Sequence, residues 1–359
     1  MRRISTKHLK PGMELAQSVI SSDGKVLLAK GQRLRDSYIA RLVQLGVYSV
    51  YVVDPRFPDI DAVDFLSERT RLRALRMVRT ACTSLIAGSV LDAPAITDIV
   101  DMLIDDLSTK PDLLINMFDI RLQDDYTFAH SVNVCSFAIL IGMSCALNRD
   151  QLRELAIGAL MHDLGKTLVP GDLLKKPGPL SPVEYEQIQE HTSAGFEILR
   201  RQGEIGLLSA HIAFQHHERM DGSGYPRGLT GSEIHLYGRI VAVADVYDAL
   251  VSDRAYRPRF LPHKAAELLL EQSGQFFDSE IVHHFLQQVA FYPTGTLVRL
   301  STGIIGVVVD VNKPITTRPI VRALYDTEGE ELDDYYELDL SINNDISIIE
   351  VIADETRLA

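Results

Sequence analysis

The chain is poor in cysteine: Cys82, Cys135 and Cys145 are the only three in 359 residues. An odd number in largely apolar surroundings argues against a disulfide scaffold and fits small buried side chains kept reduced. Long hydrophobic runs are also missing. The longest, around Cys135–Leu147, is interrupted by Ser136 and Ser144 and is too short to span about 30 Å of hydrocarbon. Arg2 and Arg3 are followed by polar residues rather than an apolar stretch, so no signal peptide is expected, and a cytoplasmic protein without membrane association is the expectation. No repeat and no low-complexity tract stands out. Positive charge is in deficit, with 36 Lys+Arg against 49 Asp+Glu and a net charge of −13. Because duplex binding rests on Lys and Arg displacing phosphate counterions, that balance excludes a nucleic-acid polymer as partner.

What remains is an ordinary globular composition, 46% hydrophobic and 24% charged. At roughly 150 residues per domain, the length suggests two or three units. The acidity is concentrated at one end. Residues 1–160 carry 19 basic and 19 acidic side chains, residues 161–260 carry 11 and 13, and residues 261–359 carry 6 and 17. A net −11 therefore lies after residue 260.

Three patterns follow one another along the chain. The first fifty residues read as a small α+β unit: β-rich Glu14–Ile20, turn chemistry at Ser22-Asp23-Gly24, a strand over Lys25–Ala29, and a helix capped by Asp36 that ends near Gly46 before Val47–Val53. Pro-containing Asp54–Asp61 reads as a linker. From about residue 63 to 290 the period is helical; Ile96, Ile99, Val100, Leu103, Ile104 and Leu107 mark one buried face, and Ser181-Pro182-Val183-Glu184 is a capping box that starts the helix carrying His191. After Pro293, short Val/Ile/Leu-rich runs (Thr296–Leu300, Ile304–Val311, Pro319–Tyr325, Ile346–Ile352) predict a small β-unit. An Arg-rich helical stretch, Arg69, Arg71, Arg73, Arg76 and Arg79, is read as a solvated face pairing with Asp98, Asp101, Asp105 and Asp106, with an anion or partner surface as the alternative.

Histidine carries the chemical signal. Six of the eleven, His130, His162, His191, His211, His216 and His217, fall between residues 130 and 217. Clustered imidazoles with nearby Asp suit divalent Zn, Fe or Mn, and the absence of Cys clusters disfavours a structural zinc site. His162-Asp163 lies where a helix is expected to stop at Gly165, so both side chains can reach one centre as the backbone turns. Asp245 and Asp248 lie three apart on an apolar helix, where unpaired carboxylates are costly to bury and a nearby cation would offset the cost. Capping or ion pairing to Arg254 and Arg257 is the structural alternative.

The blocks HSVNV (130–134), HDLGK (162–166), LLKKPGPLSPVEYEQIQEHTSAGFEIL (173–199), HHERMDGSGYPRGL (216–229) and GRIVAVADVYDALVSDRAYRP (238–258) resemble, in order and spacing, the HD-GYP family of the HD phosphohydrolase superfamily. The resemblance covers roughly residues 120–290. It implies a mainly α protein: an all-helical HD-type catalytic domain (120–290), a small N-terminal α+β domain (1–60), a helical connector (61–119) and a C-terminal β-rich subdomain (291–359). It implies a metal-dependent phosphodiesterase of bacterial signalling that hydrolyses cyclic di-GMP to linear pGpG, with GMP following if the linear product is rebound. By the same resemblance His130, His162, Asp163, His191, His216, His217 and Asp245 are metal ligands, with Asp163 bridging two divalent ions, Fe or Mn. A water between the ions attacks phosphorus in line. Lys166 meets the scissile phosphate, Asp248 orients a ligand His or the attacking water, and Tyr225, Arg254 and Arg257 contact substrate. Two departures stand out: Tyr126 replaces a Glu that holds a third metal in some members, which favours two ions, and His235 replaces a common Pro. His211 matches no motif and is read as structural. Other readings kept open are an HD enzyme for another cyclic dinucleotide or nucleotide, and a low-turnover signalling adaptor. Signalling partners are expected through the N-terminal unit, and a homodimer is left open.

Overall fold

The chain is described by a computed structural model over residues 1–21, 24–47, 49–60, 65–109, 114, 126–174, 176, 178–252 and 260–352. Near the N-terminus, β1 (Arg2–Ser5) pairs antiparallel with β4 (Ser49–Val52), β2 (Val19–Ile20) pairs with β3 (Val26–Leu28), and α1 (Asp36–Gln44) packs beside them. Leu15, Val19, Leu34, Leu42, Val50 and Val52 form the core of this unit.

The helical body comprises α2 (Glu68–Ile86), α3 (Ala93–Ser108), α4 (Tyr126–Ser144), α5 (Arg149–Met161), α6 (Gly171–Leu174), α7 (Pro182–Arg200), α8 (Leu207–Gln215), α9 (Leu236–Val251), α10 (Pro262–Glu271) and α11 (Ser279–Leu286). Local sequence sets the starts. Ser181 accepts from the Glu184 amide while the Glu184 carboxylate accepts from the Ser181 amide, the two halves of a capping box at the head of α7. Asn148 and Gln151 repeat the device on α5. His235 is explained by the same logic: its Nδ1 accepts from the Tyr237 amide at 3.2 Å and caps α9. The apolar face expected from Ile96 to Leu107 is buried, and α2 and α3 share one continuous core with α4, α5, α8, α9 and α11. Phe137, Tyr247 and Phe285 interlock in its middle, with Tyr247 and Phe285 in T-shaped contact at 4.8 Å. The acidic face of α3 pairs differently from expectation: Asp101 and Asp105 meet Arg149 and Arg153 of α5, because that helix packs on the same side of α3. Among the described residues no helix is long and apolar enough to cross a membrane.

The C-terminal unit is a five-stranded antiparallel sheet in the order β8-β7-β6-β5-β9, formed by β5 (Leu297–Leu300), β6 (Ile305–Asp310), β7 (Ile320–Tyr325), β8 (Glu331–Asp339) and β9 (Ile348–Ile352). Both faces are covered. Val298, Leu300, Val308 and Val321 form one core, while Leu297, Ile305, Val307 and Leu324 face the other way and bury Phe57 and Ile60. The segment expected to be a linker is thus a packing element. Asp54, buried at 4% exposure, is held by Arg2 at 2.8 Å and Arg56 at 2.9 Å, and Arg322 grips Asp59 through both terminal nitrogens. Replacing Phe57, which is fully buried, with Ala removes the plug between the first unit and the sheet. The expected cost is about 3–5 kcal/mol in chemical unfolding; a change near zero would contradict the docking role.

Candidate metal centre

Five imidazoles and two carboxylates converge where five helices end or cross. α5 stops at Met161, so His162 and Asp163 sit on the turn into a short 3-10 segment, Leu164–Leu168. α8 stops at Gln215, which places His216 and His217 at its end. His191 comes from the middle of α7, His130 from α4, and Asp245 and Asp248 from the site-facing side of α9. Gly165 makes the convergence possible: a Cβ there would overlap the carbonyl of His191, so the turn after Asp163 lies directly against α7.

Asp163 lies between two groups. Its Oδ1 faces His191 Nε2 at 3.5 Å and His216 Nε2 at 3.8 Å, while Oδ2 faces His162 Nε2 at 3.5 Å and His130 Nε2 at 3.7 Å. Asp245 reaches His130 Nε2 at 3.0 Å with one oxygen and His217 Nδ1 at 3.8 Å with the other. The ring orientations are set from behind. The Nδ1 atoms of His162, His191 and His216 lie 2.7, 2.6 and 3.1 Å from the carbonyls of Ala159, Ile188 and Ile212. A carbonyl only accepts, so each Nδ1 carries the hydrogen and each Nε2 turns a lone pair inward, the tautomer a metal ligand needs. His130 Nδ1 donates to Asp248 at 2.7 Å, and Asp248 is itself fixed by the Asn133 amide at 2.9 Å.

These groups fit divalent cations. His191, His216 and His217 offer three donor atoms within 4.8 Å of one another, as do His130, His162 and Asp245, and His162, Asp163 and His216. Asp163 Oδ1 and His162 Nε2 are buried with no hydrogen-bond partner, a costly condition that a cation between them would relieve. Electrostatics agree. Burial holds His162, His191 and His216 below their ordinary value and His217 down to about 3, so they stay neutral. Burial pushes Asp163 upward, but Lys166 and the surrounding imidazoles hold it well below the carboxylate range. For His130, burial is outweighed by hydrogen bonds to Asp245 and Asp248, which raise it to about 9.

A sequence profile described as "HD domain" matches residues 102–281, half of the chain and all seven of these ligand-type residues. The chain belongs to the HD domain family. The HD-GYP resemblance stands with it, since the matched relatives are cyclic dinucleotide phosphodiesterases. A cyclic di-GMP phosphodiesterase of Pseudomonas aeruginosa is 32% identical over 74% of this chain and 63% of its own length. One from Thermotoga maritima is 39% identical over 48% of this chain and 47% of its own. A 3′3′-cGAMP-specific phosphodiesterase of Vibrio cholerae is 40% identical over 40% of this chain and 33% of its own. The chain thus spans less than two thirds of the length of these relatives. A second profile, a KOW domain associated with HD domain, matches residues 297–358, the C-terminal sheet.

Of the remaining residues singled out in sequence, Lys166 sits at the mouth, its ammonium 2.6 Å from Asp163 Oδ2. The Tyr225 ring lies 4.7 Å from that of His217, and the Tyr225–Pro226 peptide is cis. Arg254 and Arg257 lie outside the described residues. His211 stays out of the cluster and packs on Phe196 at 4.9 Å. Sequence reading missed Asn133, one turn after His130 on the face that meets α9. It also missed Glu218, 2% exposed, whose two oxygens accept from the amides of Arg227 and Leu229 and hold the loop that carries Tyr225.

The histidine states set a pH dependence for the metal-free chain. His162, His191, His216 and His217 have folded values below their unfolded value near 6.5, so their burial costs stability once pH falls beneath about 6.5. His130 works oppositely: its contribution is complete below 6.5 and lost as pH rises through about 9. With four groups against one, the melting temperature of chelator-treated protein is expected to fall between pH 7.5 and 5. A flat profile would contradict neutral, buried imidazoles.

Proposed function

We propose that the chain is a metal-dependent phosphodiesterase that opens cyclic di-GMP to linear pGpG, with GMP following if the linear product is rebound. The observation that carries this reading is the convergence of His130, His162, Asp163, His191, His216, His217 and Asp245 around one shared carboxylate. That completeness also argues against a low-turnover adaptor. Two ions, Fe or Mn, suit the mixed imidazole and carboxylate set. Three are disfavoured, because Tyr126 stands where a third site needs a carboxylate. Bound cations would supply Lewis-acid stabilisation of the phosphoryl oxygens and acidify a water for in-line attack.

The chain's own residues do the rest. Asp248 and three backbone carbonyls hold the imidazoles in register, so the donor set costs no reorganisation when loaded. Lys166, 28% exposed, is close enough to the centre to give its ammonium hydrogens to a phosphoryl oxygen. Tyr225 walls one side beside His217 and offers its ring to a guanine base. Arg254 and Arg257 are assigned to phosphate or guanine contacts on the family resemblance. Catalysis is assigned to residues 120–290 and partner binding to the N-terminal unit.

The cyclic GMP-AMP relative supports a second reading, in which the same centre takes another cyclic dinucleotide. The test is turnover by Mn²⁺- or Fe²⁺-loaded protein of cyclic di-GMP against 3′3′-cyclic GMP-AMP, followed by chromatography of the linear products. Faster cleavage of cyclic di-GMP is expected, and the reverse order shifts the substrate. Tight binding without product at either metal contradicts the enzyme reading. Lys166→Ala is expected to lower kcat by roughly 100-fold; unchanged kcat would remove the lysine from the reaction.

A further inference from the structure

Arg219 is a cation beside the centre to which the proposed reaction gives no role. It follows His216-His217-Glu218 directly, and its guanidinium carbon sits over the buried Phe277 ring, 4.7 Å from the centroid. That cation–π contact holds the group without using its hydrogen-bond donors. None of those donors meets an acceptor among the described residues, and no carboxylate among them lies within ion-pair distance. Nη1 is sealed from solvent, while the rest of the fork is open. An arginine cannot discharge by losing its proton, so a mostly buried one without an anion is costly.

The surroundings are those of a ligand site. Tyr185, 47% exposed at the start of α7, stands edge-on to Tyr225 at 6.1 Å, and Tyr225 in turn lies against His217. An aromatic staircase therefore runs from His217 to the surface, and the backbone of Arg219 packs against Gly224, the residue before Tyr225. Lys166 contacts Asp163, while Arg219 comes two residues after His217, an imidazole that faces Asp245. A cyclic dinucleotide carries two phosphodiester groups, of which only one reacts at a time. We infer that Arg219 is a substrate-positioning residue that binds the phosphodiester group not being cleaved, with Tyr185 as an outer stacking surface for a base. The inference rests on the phosphodiesterase reading and extends it to a site specific for substrates with two phosphates.

The test compares metal-loaded wild type, Arg219→Met, which keeps the stack over Phe277 but not the charge, and Arg219→Lys, which restores charge without the planar fork. Each is assayed on cyclic di-GMP and on bis(p-nitrophenyl) phosphate, which has a single phosphodiester. For Arg219→Met, KM for cyclic di-GMP is expected to rise roughly tenfold to a hundredfold, the range of a charge-assisted hydrogen bond. Turnover of the small diester and metal content should stay within twofold of wild type, and Arg219→Lys should recover part of the loss. Tyr185→Ala should raise KM for the cyclic dinucleotide and leave the small diester unaffected. Loss of both activities in parallel, or of metal, would assign Arg219 to the reacting group or to the fold and overturn the inference. So would an unchanged KM. If Arg219→Met fails to fold, Arg219→Gln, which also removes the charge, takes its place, and an unchanged KM for cyclic di-GMP in that variant overturns the inference in the same way. Wild type that cleaves the small diester but not cyclic di-GMP sinks the functional reading itself, a result separate from any Arg219 effect.

Discussion

The structure depends on one buried carboxylate. Asp163 has almost no contact with solvent and points its two oxygens at two different sets of imidazoles. A charge in that position is tolerated only if cations surround it. In the chain alone Lys166 supplies one, and the raised pKa of His130 supplies another. The neighbouring histidines are locked as neutral donors by backbone carbonyls, which leaves the remaining compensation to metal. Everything that shapes the helical body near this point serves the same end: α5 stopping one residue before His162, Gly165 letting that turn lie on α7, and α9 presenting Asp245 inward while Tyr247 faces the aromatic core.

The charge distribution fits this division of labour. The acidic excess resides in the C-terminal sheet, where β8 carries Glu331, Asp333, Asp334 and Glu337 on a strand at the sheet edge. Charged edge strands resist pairing with other chains, so that acidity has a role that does not involve the site. Around the centre, the buried carboxylates Asp163, Asp245 and Asp248 are met by Lys166 and by His130, whose pKa is raised, and any bound cation would add further positive charge. With cations bound, an anionic ligand would meet a locally favourable field on a protein whose total charge is −13.

The site is far more legible in the sequence than its surroundings. Histidine and aspartate at helix ends carry a strong signal, because few other roles place six imidazoles in one stretch, and the helical body and the main strands follow from period alone. The failures have physical causes. β8 escapes because a largely exposed edge strand shows little apolar alternation, and its acidic residues read as loop. Asp54–Asp61 reads as a linker because Phe57 and Ile60 are two isolated apolar residues whose partners lie some 240 residues onward, beyond any local pattern. Asp101 and Asp105 find arginines on α5 rather than α2, since which helix flanks another is a tertiary fact. Glu218 and Asn133 act on backbone amides and on another carboxylate, roles that leave no mark on spacing.

Elemental analysis of the purified protein, set beside its Asp163→Ala variant, tests the shared carboxylate most directly. A carboxylate shared by two cation sites predicts close to two metal ions per chain for wild type and fewer than one for the variant, with far-ultraviolet circular dichroism unchanged. A folded variant that retains two ions would contradict the shared bridge.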